Sequence, residues 1–190
     1  MLIYIHGFNS SAQSYKARLL GEVMHQQGLA AQFACPELHH RPEQAMAQLE
    51  ALVVPQAGDA VTLVGSSLGG FYATSLAERF GVRAVLVNPA VRPYQLLGGY
   101  LGPQKNLYTG EEYDLTSQHI DELRALEVTV ITPSRYLLIT ATGDEVLDYR
   151  AGVERYAGCE KIIVEGGDHG FREFAAYIPQ VIAWWQRGRV

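Results

Sequence analysis

Ser67, Asp144 and His169 are, in that order along the chain, a hydroxyl, a carboxylate and an imidazole that could act as one catalytic unit. A serine hydroxyl attacks a carbonyl only when an adjacent base takes its proton, and an imidazole base needs a third group to hold its tautomer. Ser67 stands in Gly65-Ser66-Ser67-Leu68-Gly69, directly after the apolar run Val61-Thr62-Leu63-Val64 and before Phe71-Tyr72-Ala73-Thr74-Ser75-Leu76-Ala77. This places G-x-S-x-G between a strand and a helix. At such an elbow the serine projects above the sheet, and only glycines two residues to either side leave room for the tight turn. An ordinary glycine-rich turn also matches the bare pattern, so its neighbours along the chain carry the argument. Asp144 follows Leu138-Ile139-Thr140-Ala141, and His169 follows Ile162-Ile163-Val164. All three candidates therefore fall at the carboxyl ends of expected strands, where open α/β sheets place their sites.

An acyl-transfer site also needs two N–H groups aimed at the developing oxyanion. One comes from Leu68, the residue after the nucleophile, and the other from Phe8 in the turn that ends Leu2-Ile3-Tyr4-Ile5-His6-Gly7. His6 precedes the nucleophile at the end of the first strand and is expected to shape this loop as a structural histidine. The acid has three claimants, because Asp144, Glu145 and Asp148 lie close together. Asp144 is favoured because it directly follows its strand; Asp148, ahead of Tyr149-Arg150, suits a helix cap.

Taken together, His6-Gly7-Phe8-Asn9-Ser10-Ser11, Gly65-Ser66-Ser67-Leu68-Gly69-Gly70, Val87-Asn88-Pro89-Ala90-Val91-Arg92-Pro93, Thr142-Gly143-Asp144-Glu145-Val146-Leu147-Asp148-Tyr149 and Glu165-Gly166-Gly167-Asp168-His169 resemble the small bacterial YqiA/YcfP family of α/β-hydrolase esterases. The likeness spans nearly the whole chain. It implies a serine hydrolase acting on carboxyl esters, with acyl thioesters as a further class, and the positions that match the family's triad are Ser67, Asp144 and His169. No cofactor is implied. A catalytically silent hydrolase fold kept for binding, and a hydrolase of carbon–carbon bonds using the same three residues, are the alternatives.

With 190 residues, 48% of them hydrophobic, the chain can bury one substantial core. A prior of about 150 residues per domain gives a single domain, 1–190, without room for a separate cofactor domain. The formal net charge of −5 offers no basic footprint for nucleic acid or an anionic membrane. A small molecule is the expected partner, and the oligomeric state is left open. Cys35 and Cys159 belong to no C-x-x-C or Cys/His cluster and read as free thiols in a reducing compartment. The start of the chain lacks a signal-peptide pattern, and no apolar run approaches the roughly 18 residues of a membrane span, so a cytoplasmic protein is expected.

Strands are expected at 2–6, 30–34, 61–64, 84–87, 136–141 and 161–164. Helices are expected at about 14–27, at about 42–53, from the elbow to about 80, at 149–156 and at 171–185. Apolar strands alternating with helices imply a reduced α/β-hydrolase fold, with about six parallel strands covered on both faces. Gly28, Gly58 and Gly81 are placed as turns or helix caps. The stretch 89–133, rich in proline, glycine and tyrosine, reads as an irregular lid insertion, with Tyr94 and Tyr100 as candidates for substrate binding. His25, His39 and His40 lack a completing carboxylate, so no metal site is expected and His39-His40 read as a solvated loop. Asp168 is expected to turn away from the imidazole, and Lys16 with Arg18 reads as surface charge unless a phosphate meets them.

Overall fold

The apolar runs lie side by side as one six-stranded parallel sheet in the computed structural model, which describes residues 1–56 and 61–188. Gly58 lies outside the described residues. In chain order the strands are β1 (Leu2–Ile5), β2 (Phe33–Ala34), β3 (Thr62–Ser66), β4 (Arg83–Val87), β5 (Gly102–Lys105), β6 (Glu112–Leu115), β7 (Tyr136–Ala141) and β8 (Glu160–Val164). The sheet runs β2-β1-β3-β4-β7-β8, and β5 and β6 form a separate antiparallel pair. The helices are α1 (Tyr15–Gln26), α2 (Pro42–Val53), α3 (Leu68–Phe80), α4 (Pro93–Leu97), α5 (Ser117–Ala125), α6 (Tyr149–Arg155) and α7 (Phe174–Arg187).

Two apolar layers hold the sheet. Ile3, Ile5, Leu63 and Leu86 pack with α2, α3 and α5, while Leu2, Tyr4, Val64 and Val87 pack with α1 and α7. Because β1, β3, β4 and β7 are covered on both faces, they read as continuous apolar runs. The site residues thereby sit on rigid strand ends. Among the described residues no helix is long and apolar enough to cross a membrane.

Three expectations differ from what is observed. The strand expected at 30–34 shrinks to the two residues of β2, because Ala30–Gln32 form a 3₁₀ turn at a sheet edge where burial is only partial. The last helix begins at Phe174, since Phe171 takes a φ of 55° that no helix continues. The stretch between β4 and β7 is ordered and not irregular: its prolines and glycines punctuate elements that they do not abolish. Pro93 opens α4, Gly102 and Gly110 adopt positive φ around the β5–β6 hairpin, and Thr116 with His119 forms a capping box on α5.

Glu78 ties the end of this segment to α3. Its carboxylate accepts from Thr132 N at 2.7 Å, Thr132 Oγ1 at 2.9 Å, Arg135 at 2.7 Å and the Tyr136 hydroxyl at 2.6 Å. Burial raises the Glu78 pKa, but the donors outweigh it and hold the carboxyl below its ordinary value of 4.5. A depressed folded value stabilises the protein above the unfolded value and loses that stability as pH falls through the folded one. Glu78→Gln should therefore lower unfolding free energy at pH 7 by about 2–3 kcal/mol in urea titrations. That difference should shrink below pH 4.5; one that stays constant with acidification would contradict the charged network.

Candidate active site

Ser67 occupies the corner between β3 and α3 with φ 54° and ψ −120°. A side chain here stores strain of order 1–3 kcal/mol, so the surroundings must enforce it. They do so through the flanking glycines. A Cβ on Gly65 would overlap the Gly69 carbonyl, and one on Gly69 would overlap the Ile5 carbonyl, so α3 starts flush against the ends of β1 and β3. Ser67 N donates to Val87 O at 3.1 Å, and Ser67 O accepts from Gly70 N at 2.9 Å and Ala90 N at 3.0 Å. Ser66, its neighbour, is 4% exposed.

The three sequence candidates come together. Ser67 Oγ lies 3.0 Å from His169 Nε2, and His169 Nδ1 lies 2.8 Å from Asp144 Oδ2. With the carboxylate on Nδ1, the ring proton belongs there and Nε2 is left to accept from the serine hydroxyl. Asp144 is almost fully enclosed, and its Oδ1 accepts from the backbone of Val146 at 2.9 Å and Leu147 at 2.8 Å. Burial raises the Asp144 pKa, yet the His169 hydrogen bond and these two N–H groups prevail and keep it below the usual aspartate range.

The other acids take separate tasks. Asp148 caps α6 by accepting from Arg150 N at 3.0 Å. Glu145 Oε2 accepts from His169 N at 3.0 Å and so holds the backbone of the histidine loop. Asp168 faces Arg172, with Oδ2 to Nε at 2.9 Å, and its side chain leaves the imidazole free.

Asn88 is a buried support to which sequence reasoning gave no role. At φ 42° and 2% exposure it ends β4, accepting from Ala141 N at 2.9 Å and Thr140 Oγ1 at 3.2 Å. Its amide donates to Asp168 O at 3.1 Å, so one side chain joins the end of β7, which leads to Asp144, to the loop bearing His169. The signal available in the sequence was a polar residue placed directly after a buried strand and before Pro89.

Phe8 and Leu68 both border the cavity above Ser67, and Leu68 opens α3, where first-turn N–H groups lack intrahelical acceptors. The loop of Phe8 is held from outside. Asn9 accepts from the Tyr113 hydroxyl at 2.8 Å and donates to Gln104 Oε1 at 3.2 Å, and Asn106 donates to Ser10 O at 2.8 Å. The β5–β6 hairpin thus fixes it. His6 contacts Gly7 O through Nδ1 at 3.1 Å and accepts from Leu38 N through Nε2 at 3.2 Å; burial lowers its pKa, favouring the neutral ring.

The cavity, of about 240 Å³, is walled mainly by Ala90, Pro93, Leu96, Leu97, Tyr100 and Leu147. Tyr100 is on its rim. Tyr94 is placed elsewhere: it is buried in the core with the Arg124 guanidinium 5.4 Å from its ring, because α5 packs over that face of α4. His39-His40 do not form a solvated loop. The hairpin and α5 fold over them, so that His40 lies 3.0 Å from His119 Nε2 and stacks on Tyr113 with ring centroids 4.2 Å apart. Among the described residues no group of three or more His, Cys, Asp or Glu side chains is arranged to hold a metal.

The family described as "Uncharacterised protein family (UPF0227)" matches residues 1–186. A UPF0227 protein of Serratia proteamaculans is 27% identical over 196 aligned residues, covering 97% of this chain and 98% of that protein. One from Yersinia enterocolitica is 26% identical with the same coverage. Among solved structures, α/β hydrolase domain-containing protein 10 from mouse superposes with a TM-score of 0.70 at 16% identity, covering 96% of this chain and 89% of that one. Est1E of Butyrivibrio proteoclasticus with ferulic acid bound gives 0.67 at 14% identity, covering 99% and 88%. The esterase domain of a Rhodothermus marinus protein gives 0.65 at 18%, covering 98% and 85%. These likenesses establish the α/β-hydrolase fold.

The different environments of the two aspartates predict opposite phenotypes. Asp144→Asn should fold normally while hydrolytic kcat falls about 10⁴-fold, because an amide holds the wrong histidine tautomer. Asp148→Ala should lose about 0.5–2 kcal/mol of stability with kcat little changed. Thermal melts alongside hydrolysis kinetics check both, and exchanged phenotypes would move the acid to Asp148.

Proposed function

The chain belongs to the UPF0227 family, and from the Ser67–His169–Asp144 arrangement on its α/β-hydrolase fold we propose that it is a serine hydrolase of carboxyl esters. The observation that carries this reading is the continuous relay of 3.0 Å from Ser67 Oγ to His169 Nε2 and 2.8 Å from Nδ1 to a buried Asp144. The esterases among the structural neighbours and the apolar cavity beside Ser67 support it.

In this mechanism His169 Nε2 takes the Ser67 proton as Oγ adds to the ester carbonyl, while Asp144 balances the imidazolium. The Phe8 and Leu68 N–H groups stabilise the oxyanion. Collapse breaks the bond to the alkoxide oxygen, which leaves with the proton held by His169, and Ser67 keeps the acyl group. Water then gives a proton to His169 and adds to the acyl carbon, and as the acid is released the bond to Ser67 Oγ breaks and Oγ takes that proton back from His169. Ser67 supplies the proton taken by the alcohol and water the proton that restores Ser67, both passing through His169. Acyl thioesters pass through the same acyl-enzyme, with a thiol leaving in place of the alcohol.

A fluorophosphonate probe should label Ser67, and Ser67→Ala should abolish labelling and lower kcat on the order of a million-fold. Labelling that survives Ser67→Ala would overturn the assignment. With oxygen esters and thioesters of graded acyl length, kcat/KM should rise by up to about 0.8 kcal/mol of binding per methylene until the apolar cavity is filled. A length-independent profile would contradict that cavity as the acyl site.

A further inference from the structure

The cleft above Ser67 has a second arm of different chemistry. A hollow of about 310 Å³ shares Phe8, Ser67 and His169 with the apolar cavity, but Ser14, Tyr15, Lys16 and Tyr108 line its far side. Ser14 is the N-cap of α1, a helix of 12 residues, and Tyr15 and Lys16 are its first two positions. The N–H groups of a first helical turn have no acceptor within the helix and lie at the positive end of its dipole. Ser14 does not satisfy them: its side chain makes no cap bond. Its Oγ has no hydrogen-bond partner even though the residue is only 8% exposed. An unpartnered buried hydroxyl is costly, and a bound acceptor would remove that cost.

Lys16 adds a charge to the same wall. Its Nζ donates to Gly170 O at 2.6 Å, on the residue that follows His169. The carboxylates whose fields reach it are Asp168 and Asp144; Asp144 is engaged with His169 and Asp168 Oδ2 with Arg172, while the buried Asp168 Oδ1 has no hydrogen-bond partner. The other titratable groups around the hollow are Tyr4, Tyr15, Tyr108 and His169. Desolvation lowers the Lys16 pKa to about 8, so the group stays charged at neutral pH. Lys16 lines the hollow and feels Asp168 and Asp144 through space, without a direct ion pair to either.

We propose that the N-terminal turn of α1, with Ser14 Oγ and Lys16 Nζ, is a subsite for a carboxylate or phosphate carried on the leaving-group half of the substrate. The inference rests on Ser67 being the nucleophile and on the apolar arm taking the acyl chain. Because Lys16 reaches the residue next to His169, the anion must sit within a few bonds of the oxygen that His169 protonates. The substrate class is an ester whose alcohol part carries a compact acidic group close to the scissile bond. Helix N-termini paired with a lysine recognise such oxyanions through N–H donors and charge together.

Three butyrate esters test this: those of glycolate, of hydroxymethylphosphonate as the phosphate mimic, and of neutral methyl glycolate. The readout is kcat/KM for each charged ester divided by that for the neutral one. Lys16→Gln keeps a donor for Gly170 O but removes the charge, and should lower the ratio about tenfold, the loss of a charge-assisted hydrogen bond. Lys16→Arg should restore most of it, and Ser14→Ala should lower it about threefold. In the unmodified protein the ratio should also fall as pH rises through about 8, since Lys16 is charged below that value and neutral above it. A fall confined to one charged ester identifies that group as the ligand. An unchanged ratio in Lys16→Gln, with all three esters slowed equally, would reduce Lys16 to an anchor of the histidine loop and overturn the subsite. If Ser67 is not labelled and no ester is turned over, the hydrolase reading fails and the subsite with it. Turnover that depends on Ser67 with a ratio indifferent to Lys16 removes the subsite alone.

Discussion

The structure depends on the absence of side-chain volume at one contact, where Gly69 meets the Ile5 carbonyl. Without a Cβ there, α3 starts directly at the end of β3, and Ser67 is left no conformation but the positive-φ corner. The two layers of core on either side of the sheet resist any relaxation of that corner, because helix and strand ends cannot separate without opening packed apolar contacts.

Around the fixed serine, the remaining groups are held by polar bonds whose geometry is over-determined. Asn88 fastens the histidine loop to β7, Glu145 holds the backbone of His169, and two backbone N–H groups hold the carboxylate of Asp144. An enclosed carboxylate would be costly if unpaired, and its three donors reverse the effect of desolvation. The hairpin between β4 and β7 acts on the opposite side, fixing the Phe8 loop through Asn9 and Ser10. The segment after β4 therefore supports the Phe8 loop and walls the apolar cavity beside Ser67.

Much of this was legible in the sequence because it depends on local rules. A G-x-S-x-G between an apolar strand and a helix pattern, and polar residues just after apolar strands, report strand ends directly. The order Ser67, Asp144, His169 did the rest. The hairpin was not legible, since Pro103, Gly102 and Gly110 look the same in a disordered loop as in a turn between short strands. Nor were the pairing of His40 with His119, the burial of Tyr94 or the turn of Lys16 into the cleft. Each depends on how a distant element packs, 79 residues away for the histidine pair, and no local spacing encodes it.

The central claim is that Ser67 forms a covalent acyl intermediate with His169 as its base. A p-nitrophenyl carbamate tests it most directly, because carbamoylated serines release their acyl group slowly and the adduct accumulates. The account predicts a burst of one equivalent of nitrophenolate per chain, with the carbamoyl mass on the peptide that contains Ser67 and no burst in His169→Ala. Steady ester turnover with no burst and no adduct, or an adduct on a different side chain, would contradict it.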